Sequence, residues 1–267
     1  AFYRATTYLF YKDIFATEPK LTNNIKVRLQ GDAHLENLGT YKDLNGSVSY
    51  DLNDFDDVFD GSYSLDLTRL AVSIYLAAKD NNVDDASGLV SFFLDRYYEN
   101  LKFLDKNKSL ITQNVPNNFL SKQAIKTINK VTSYKYSDFV DEMTSQGQLK
   151  FNDKVKPVSK DIRDSVIRAV ENYSLKKGSL KSLFKVKDVG YYISGKGSLG
   201  RYRYIVLLQG SSDNNKDDLI IELKEASQPS VSIVGGAISG NQAQRVIDGT
   251  KYFVTKPDQY YGITKIG

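Results

Sequence analysis

The sequence has no cysteine among its 267 residues, and its only histidine is His34. The lack of cysteine excludes disulfide scaffolds, zinc–thiolate centres, iron–sulfur clusters and cysteine nucleophiles. A single histidine excludes a His-rich metal site, and any Ser-His-Asp triad would have to use His34. The range of possible catalytic residues is therefore narrow. A chain of this length buries roughly 70 to 75% of its unfolded surface, so it needs no disulfide or metal to fold.

Long apolar runs are also absent, since no stretch approaches the roughly 20 residues that a membrane span needs. Positively charged residues slightly outnumber negatively charged ones: 36 Lys and Arg against 32 Asp and Glu give a net charge of +4. The cations alternate with acids along most of the chain, and Lys122, Lys126 and Lys130 fit a solvated helix face better than a nucleic-acid site. We expect no membrane or nucleic-acid partner and a cytoplasmic location, although the absence of cysteine fits an exported protein equally.

Hydrophobic periodicity divides the chain into a helical first part and a strand-rich last part. The spacing of apolar residues predicts helices over 2–15, 67–78, 89–101, 121–131 and 162–170. Alternation predicts strands over 190–194, 202–208 and 219–223, with one helix near 238–253 and an irregular stretch over 144–158. The sequence thus predicts an α+β protein with a large helical lobe over 1–180 and a small antiparallel β lobe over 181–267.

Three polar residues follow predicted strands early in the chain. Ile25, Val27 and Leu29 alternate with polar residues and run into a loop that carries Asp32 and, five residues later, Asn37. The Asn-Gly pair at 45–46 predicts a tight hairpin, which delivers Asp54 at its exit. Two carboxylates and an amide are what phosphoryl transfer uses, because one acid takes the hydroxyl proton while the others hold Mg²⁺. The alternative is a capped turn, since Asp and Asn favour turns anyway.

A glycine-rich turn lies between two predicted strands in the last part of the chain. Gly195, Gly197 and Gly200 form a G-x-G-x-x-G pattern with Ser198 inside it. A dinucleotide-binding fingerprint or a P-loop would require a helix to follow, whereas the next residues alternate as a strand. Such a turn fits the lid that kinases place over nucleotide phosphates. A plain glycine hairpin is the alternative.

A lysine ends the apolar segment 219–223. Lys224 would face a desolvation cost there unless it has an anionic partner. Kinases place the lysine that contacts the α- and β-phosphates on a strand after the glycine turn, and the order strand, turn, strand, strand, Lys224 matches that arrangement. A single lysine of this kind is more often structural, so it is the combination of the three motifs that favours a kinase-like site.

These motifs resemble those of a known group of enzymes. The segment Gly31–Gly39 resembles the H-G-D-x-H-x-x-N catalytic loop of aminoglycoside phosphotransferase-like kinases, and Asp54–Asp57 with Asp66 resembles their metal-binding acid and the start of the next helix. More narrowly, the chain resembles the bacterial domain-of-unknown-function family 2252. The shared stretches are Phe2–Arg4, Gly31–Asn37, Asp51–Asp57, Asp66–Ala71, Gly195–Gly200, Leu223–Ala226 and Arg245–Gly249.

The resemblance implies a protein kinase-like two-lobe fold that is circularly permuted, because the catalytic loop here precedes the glycine turn and the lysine. It also implies ATP and Mg²⁺ as cofactors. The implied roles are as follows: Asp32 as the base or substrate-orienting acid, His34 as a residue that orders the loop, Asn37 and Asp54 as metal ligands, Lys224 as a phosphate ligand, Gly195, Gly197, Ser198 and Gly200 as the nucleotide lid, and Asp248 in the place of the kinase glutamate that pairs with the lysine. The chain ends at Gly267, where the resemblance implies another strand and a hinge.

The resemblance points to a phosphotransferase acting on an unidentified acceptor. Only eleven residues separate Asp54 from Asp66, too few for the activation segment of a protein kinase, so a small or specialised acceptor is expected. Two alternatives use the same residues. One is a nucleotide-binding pseudokinase that serves as an interaction or regulatory module, and the other is a transferase of a nucleotidyl (AMP) group.

Overall fold

The computed structural model describes residues 2–42, 47–110, 121–178, 184–194, 200–212, 214–254 and 257–267. Within these ranges the α-helices are α1 (Phe2–Ala5), α2 (Thr7–Thr17), α3 (Tyr63–Asp80), α4 (Ala86–Lys106), α5 (Lys122–Ser133), α6 (Tyr136–Met143), α7 (Lys160–Ser174), α8 (Ser232–Gly235) and α9 (Gln242–Phe253). The strands are β1 (Lys26–Leu29), β2 (Leu38–Lys42), β3 (Val48–Leu52), β4 (Phe59–Ser62), β5 (Thr144–Ser145), β6 (Gln148–Leu149), β7 (Val155–Pro157), β8 (Val186–Tyr192), β9 (Arg203–Leu208) and β10 (Leu219–Lys224).

The strands form small antiparallel sheets. A four-stranded sheet has the order β10-β9-β8-β7, and three two-stranded sheets pair β1 with β4, β2 with β3, and β5 with β6. The predicted α+β class is therefore confirmed. The β2–β3 pair also confirms the hairpin expected around the Asn-Gly dipeptide, whose own residues lie outside the described part of the chain.

The chain divides into two compact units. The first consists of Ala1–Ser133 and Ser227–Pro257, and the second of Tyr134–Ala226 and Asp258–Gly267. Helices α6 and α7 thus belong with the four-stranded sheet, and α8 and α9 belong with the early helices. The predicted boundary between residues 180 and 181 lies outside the described residues.

The core of the first unit joins its early helices to the sheet of β1 and β4. Its buried side chains are Phe10, Tyr11, Leu29, Phe59, Leu65 and Val231. The predicted strand at 25–29 is confirmed as β1, but its alternation is a poor guide to burial, because Ile25 is 75% exposed and Val27 is 39% exposed. Leu29, at the end of β1, is the residue of that set that reaches the core.

The last segment of the first unit packs against the loop that follows β3. The rings of Phe55 and Phe253 stack with centroids 5.8 Å apart. Gly249 faces Val58, and a Cβ added at Gly249 would lie only 2.5 Å from a methyl carbon of Val58. Gly249 and Phe253 of α9 therefore pack against the segment that follows β3, although they lie almost 200 residues later in the chain.

The second unit packs α7 against one face of its four-stranded sheet. Val166 and Val170 of α7 are buried against Val189, Val206 and Leu208 of β8 and β9. The opposite face of the sheet is covered by a smaller apolar cluster of Leu149, Val155, Ile205 and Leu207.

The stretch 144–158 was expected to be irregular, and this prediction was wrong. It contains β5, β6 and β7, and β7 adds an edge strand to the four-stranded sheet. Gln146 and Gly147 both have positive φ and make the tight turn between β5 and β6, so the glycine marks a hairpin here. The strands are too short, at two or three residues, for alternation to reveal them.

None of the helices in the described ranges combines the length and the apolar character that crossing a membrane requires.

The contact of Gly249 with Val58 gives a test of this packing. Gly249→Ala should lower the free energy of unfolding by about 1 to 3 kcal/mol, because the added methyl overpacks a closed site. Gly235→Ala is the matched control. No atom of the described residues lies within 4 Å of a Cβ added there, so the substitution should be neutral or stabilise slightly. Urea unfolding followed by circular dichroism measures both, and equal stabilities of the two variants would contradict this description of the α9 contact.

Candidate functional site

The loop after β1 is fixed by backbone contacts that only glycine allows. Gly31 has φ +84°, and a Cβ added there would lie 1.9 Å from the carbonyl oxygen of Asp57. The Asp66 carboxylate, in the first turn of α3, accepts hydrogen bonds from the backbone N–H groups of Gln30 (2.7 Å) and Gly31 (3.0 Å). The loop that carries Asp32 therefore leaves β1 in a single, closely packed conformation.

Asp32 lies between α2 and α3 with its carboxylate bound at one oxygen. Its Oδ1 accepts hydrogen bonds from Thr7 Oγ1 (2.9 Å) and from Arg69 Nε (2.7 Å). Arg69 is fully buried, whereas 16% of the Asp32 side chain is exposed. Burial raises the pKa of the Asp32 carboxyl, and the charge and hydrogen bond of Arg69 oppose this rise.

His34 is a buried, neutral residue of the same loop. Its Nδ1 accepts a hydrogen bond from the backbone N–H of Glu36 at 3.1 Å and so caps the single turn that contains Asn37. Its Nε2 lies 3.7 Å from Asp32 Oδ2, which is too long for a hydrogen bond. Burial, followed by the charges of Arg69 and Arg4, lowers the pKa of His34 to about 4. The imidazole is therefore uncharged at neutral pH.

Asn37 and Asp54 lie next to Asp32, at the open end of the β2–β3 hairpin. Asn37 Nδ2 donates to the carbonyl oxygen of Asp32 at 2.9 Å. The backbone N–H of Asn53 donates to the Asn37 carbonyl at 2.8 Å, which extends the hairpin ladder by one step and makes Asp54 the next residue. Asp54 is exposed and has φ +56°, a backbone conformation that Asp and Asn tolerate better than most residues. The structure thus brings together Asp32, Asn37 and Asp54.

The donor atoms of these residues are compatible with a Mg²⁺ ion that takes most of its ligands from other molecules. The Nδ2 of Asn37 is used on Asp32, so Oδ1 is the amide atom suited to a cation, and Asp54 supplies an exposed carboxylate. No group of three or more His, Asp or Glu side chains within the described ranges is arranged to hold a metal ion. Mg²⁺ is commonly bound through one or two carboxylates together with substrate phosphates and waters. The chemistry of this donor set matches that mode and does not match an all-protein cage.

The loop after Asp54 is held by the last segment of the first unit. Arg245 of α9 donates from its guanidinium to the carbonyl oxygens of Val58 (2.6 Å), Asp56 (2.8 Å) and Ser227 (2.8 Å). The Asp57 carboxylate accepts the backbone N–H of Ser230. Burial raises the pKa of Asp57 to about 6, with a smaller contribution from the charge of Asp32.

The residues predicted from the later motifs lie mostly in the second unit. Gly195, Gly197 and Ser198 fall outside the described residues, and Gly200 has φ +88°. The strands on either side, β8 and β9, are antiparallel neighbours, which confirms that a strand and no helix follows the glycine turn. Lys224 ends β10 directly opposite Arg203 of β9, and Arg203 forms an ion pair with Glu222.

Asp248 belongs to the first unit, whereas Lys224 belongs to the second. On α9, Asp248 accepts a hydrogen bond from Gln244 Nε2 at 2.7 Å. It also lines a surface cavity of about 350 Å³ together with Arg28, Asp60 and Tyr252. Its pairing with Lys224 stays a prediction.

Sequence reasoning missed three residues of this site, Gln30, Thr7 and Arg69. Thr7 and Arg69 lie on helices that were predicted from their apolar spacing alone. A signal was present in each of these two cases. Thr7 is a hydroxyl in an otherwise apolar helix face that includes Phe10, and Arg69 lies on the core-facing side of α3, where a charge needs a buried partner.

Comparison with known proteins assigns the chain to a family. The profile of the family described as "Uncharacterized protein conserved in bacteria (DUF2252)" matches residues 1–267. The chain therefore belongs to this bacterial family, as the sequence motifs predicted. No curated protein and no solved structure matched the chain.

The raised pKa of Asp57 predicts a pH dependence of stability. With a pKa of about 6 in the folded state and 3.8 as the ordinary value, the folded protein binds more protons than the unfolded chain between these pH values. The free energy of unfolding should therefore fall as pH rises through this range. Asp57→Asn keeps an acceptor for the Ser230 N–H but cannot ionise, so its stability relative to the wild type should improve by up to about 3 kcal/mol between pH 4 and 7.

Denaturant titrations at several pH values measure this difference. Asp80→Asn, which removes an exposed carboxylate at the end of α3, is the control for a general effect of net charge. A stability difference between Asp57→Asn and the wild type that stays constant from pH 4 to 7 would contradict the prediction.

Proposed function

We propose that this protein is an ATP- and Mg²⁺-dependent phosphotransferase with a circularly permuted, kinase-like two-lobe fold. It transfers a phosphoryl group to an unidentified acceptor, small or specialised. The observation that carries the proposal is the convergence of Asp32, Asn37 and Asp54 at the ends of β1, β2 and β3. Direct hydrogen bonds join Asp32 to Asn37 and Asn37 to the residue before Asp54. Such a constellation is what phosphoryl transfer needs, because its catalysis consists mainly of positioning and charge stabilisation.

Asp32 is proposed to orient the acceptor hydroxyl and to receive its proton. As the hydroxyl oxygen attacks the γ-phosphorus of ATP, the bond between that phosphorus and the β,γ-bridging oxygen breaks and ADP leaves. Burial raises the pKa of the Asp32 carboxyl, which makes it a better proton acceptor than an ordinary aspartate. His34 is neutral and holds the loop through the Glu36 N–H, so it has a structural part in this scheme.

Asn37 and Asp54 are proposed to hold Mg²⁺, which when bound neutralises charge on the phosphates. Lys224 is proposed to contact the α- and β-phosphates. The turn Gly195–Gly200 is proposed to cover the phosphates with its backbone N–H groups. Support for the last two roles is the order of elements, since the turn lies between antiparallel β8 and β9, and β10 follows with Lys224 at its end. That is the order of the corresponding kinase parts.

The first test is nucleotide binding. Mg-ATP at about 100 times its Kd should raise the free energy of unfolding by roughly 2.7 kcal/mol. Asp54→Asn should remove most of the Mg²⁺-dependent part, because it takes away the charge but keeps a residue that tolerates positive φ. Asp51→Asn, on the same hairpin, should keep the full effect. Thermal unfolding with ATP, with and without Mg²⁺, measures this, and no stabilisation of the wild type by any combination would refute the proposal.

The second test separates an enzyme from a binding module. Asp32→Asn should keep nucleotide affinity within a few fold while turnover drops about 10² to 10⁴-fold, since Asp32 acts on the acceptor. Lys224→Met should weaken both nucleotide binding and turnover. Mass spectrometry of ATP incubated with the protein identifies the product: ADP indicates phosphoryl transfer, and pyrophosphate indicates nucleotidyl transfer. Full turnover by Asp32→Asn would show that Asp32 does not receive the acceptor proton. Nucleotide binding without turnover by the wild type would favour the pseudokinase alternative.

A further inference from the structure

Asp32, Thr7 and Arg69 form a closed triangle of side-chain hydrogen bonds. Arg69 donates from Nε to Asp32 Oδ1 at 2.7 Å and from Nη2 to Thr7 Oγ1 at 2.9 Å. Thr7 Oγ1 in turn donates to the same Asp32 Oδ1 at 2.9 Å. Because the guanidinium can only donate, the Thr7 hydroxyl must accept from it and direct its own proton to Asp32. The direction of every hydrogen bond in the triangle is therefore fixed.

Arg69 is itself held in place by its surroundings. Its guanidinium carbon lies 4.4 Å from the ring centroid of Tyr3 and 5.2 Å from that of Phe10. Its Nη2 also donates to the carbonyl oxygen of Tyr3 at 3.1 Å, and the Tyr3 hydroxyl donates to the Arg69 carbonyl at 2.9 Å. A planar cation bounded by aromatic rings and fixed by backbone contacts has little freedom to move.

Stability alone is a poor reason for this arrangement. Arg69 is completely buried, and its Nη1 has no hydrogen-bond partner among the residues that the structure describes, which costs free energy. A buried ion pair of this kind can often be replaced by apolar side chains without loss of stability. The cluster is therefore better explained by what it does to the Asp32 carboxylate.

Both donors bind one oxygen of the carboxylate. Oδ1 receives Thr7 and Arg69, whereas Oδ2 lies 3.7 Å from His34 Nε2, beyond hydrogen-bond distance. The Asp32 side chain keeps 16% of its area exposed. We propose that Thr7 and Arg69 are positioning residues that fix Asp32 through Oδ1 and so present Oδ2 to the acceptor hydroxyl. This role rests on the phosphotransferase function proposed above, and it makes helix α2 part of the site.

The proposal is tested by exchanging the hydroxyl of Thr7. Thr7→Val keeps the shape but removes the hydrogen bond to Asp32, so ATP turnover should fall about tenfold while the Kd of Mg-ATP stays within about twofold. Thr7→Ser restores a hydroxyl and should recover turnover to within about twofold of the wild type. Thr17→Val is the matched control on the same helix, because the Thr17 hydroxyl donates to the Asp13 carbonyl at 2.9 Å, away from Asp32, and turnover should be unchanged. A purely structural role would lower turnover in Thr7→Ser and Thr7→Val alike, or change Kd in step with turnover, and either result would overturn the proposal.

Crystal structures of Thr7→Val and Arg69→Lys provide a second test of the positioning role, one that does not depend on activity. Lysine replaces the planar fork of arginine with a single ammonium on a shorter side chain, so it cannot keep the Nε and Nη2 contacts of Arg69 in their wild-type geometry. The Asp32 carboxylate should therefore rotate away from its wild-type orientation in that variant and shift in Thr7→Val. If the Asp32 carboxylate keeps its wild-type position in both variants, the positioning role is overturned. If Arg69→Lys does not fold, an unchanged position in Thr7→Val alone has the same consequence. If the wild type neither binds nor turns over ATP, the phosphotransferase proposal fails by itself, and the crystal structures still decide whether Thr7 and Arg69 set the orientation of Asp32.

Discussion

The site depends most on one buried side chain, that of Gln30 at the end of β1. Its Oε1 accepts the backbone N–H of Asp32 at 3.0 Å, and its Nε2 donates to the carbonyl oxygens of Asn53 (3.2 Å) and Asp54 (2.6 Å). The amide therefore joins the loop after β1 to the exit of the β2–β3 hairpin. Gln30 has 1% of its surface exposed, so a lost partner would leave a buried amide group unsatisfied, and the two loops are coupled in position. The spacing between Asp32 and Asp54 follows from this link.

This arrangement concentrates acids in a poorly solvated region, and cations from distant helices offset them. Burial raises the pKa values of Asp57 and Asp66 to about 6, and the charge of Asp32 adds to both increases. Arg69 offsets part of this charge beside Asp32. On the other side of the loop Arg245 binds three carbonyl oxygens, so its cation lies against backbone dipoles. A cluster of this kind sacrifices stability, as functional sites commonly do.

The part of the site that could be predicted from sequence is the part built by local structure. Asp32 and Asn37 are close because they share one short loop, and Asp54 joins them because the antiparallel pairing of β2 with β3 returns the chain to the same end. Gln30 could not be recognised, because alternation along β1 assigned it to the outward face, whereas its satisfied amide allows it to be buried. Thr7 and Arg69 were also missed, since their contacts with Asp32 span 25 and 37 residues and no periodic pattern encodes such distances.

The division into lobes shows the same limit at a larger scale. The alternation of apolar and polar residues located β8, β9 and β10. Alternation is a local pattern, however, and cannot show that the chain returns to the first unit after residue 226. The contacts of Arg245 with Asp56 and Val58 span 189 and 187 residues, and the contact of Ser230 with Asp57 spans 173.

Loop closure over such separations is entropically unfavourable, so these contacts form late in folding unless other packing has already brought the segments together. The loop after Asp54 can therefore reach its final conformation only once the segment 227–257 has docked, whereas the contacts of Asp32 need only the first 69 residues of the chain. The two halves of the candidate site thus have different folding requirements, and their coupling through Gln30 makes the later step the one that completes the site.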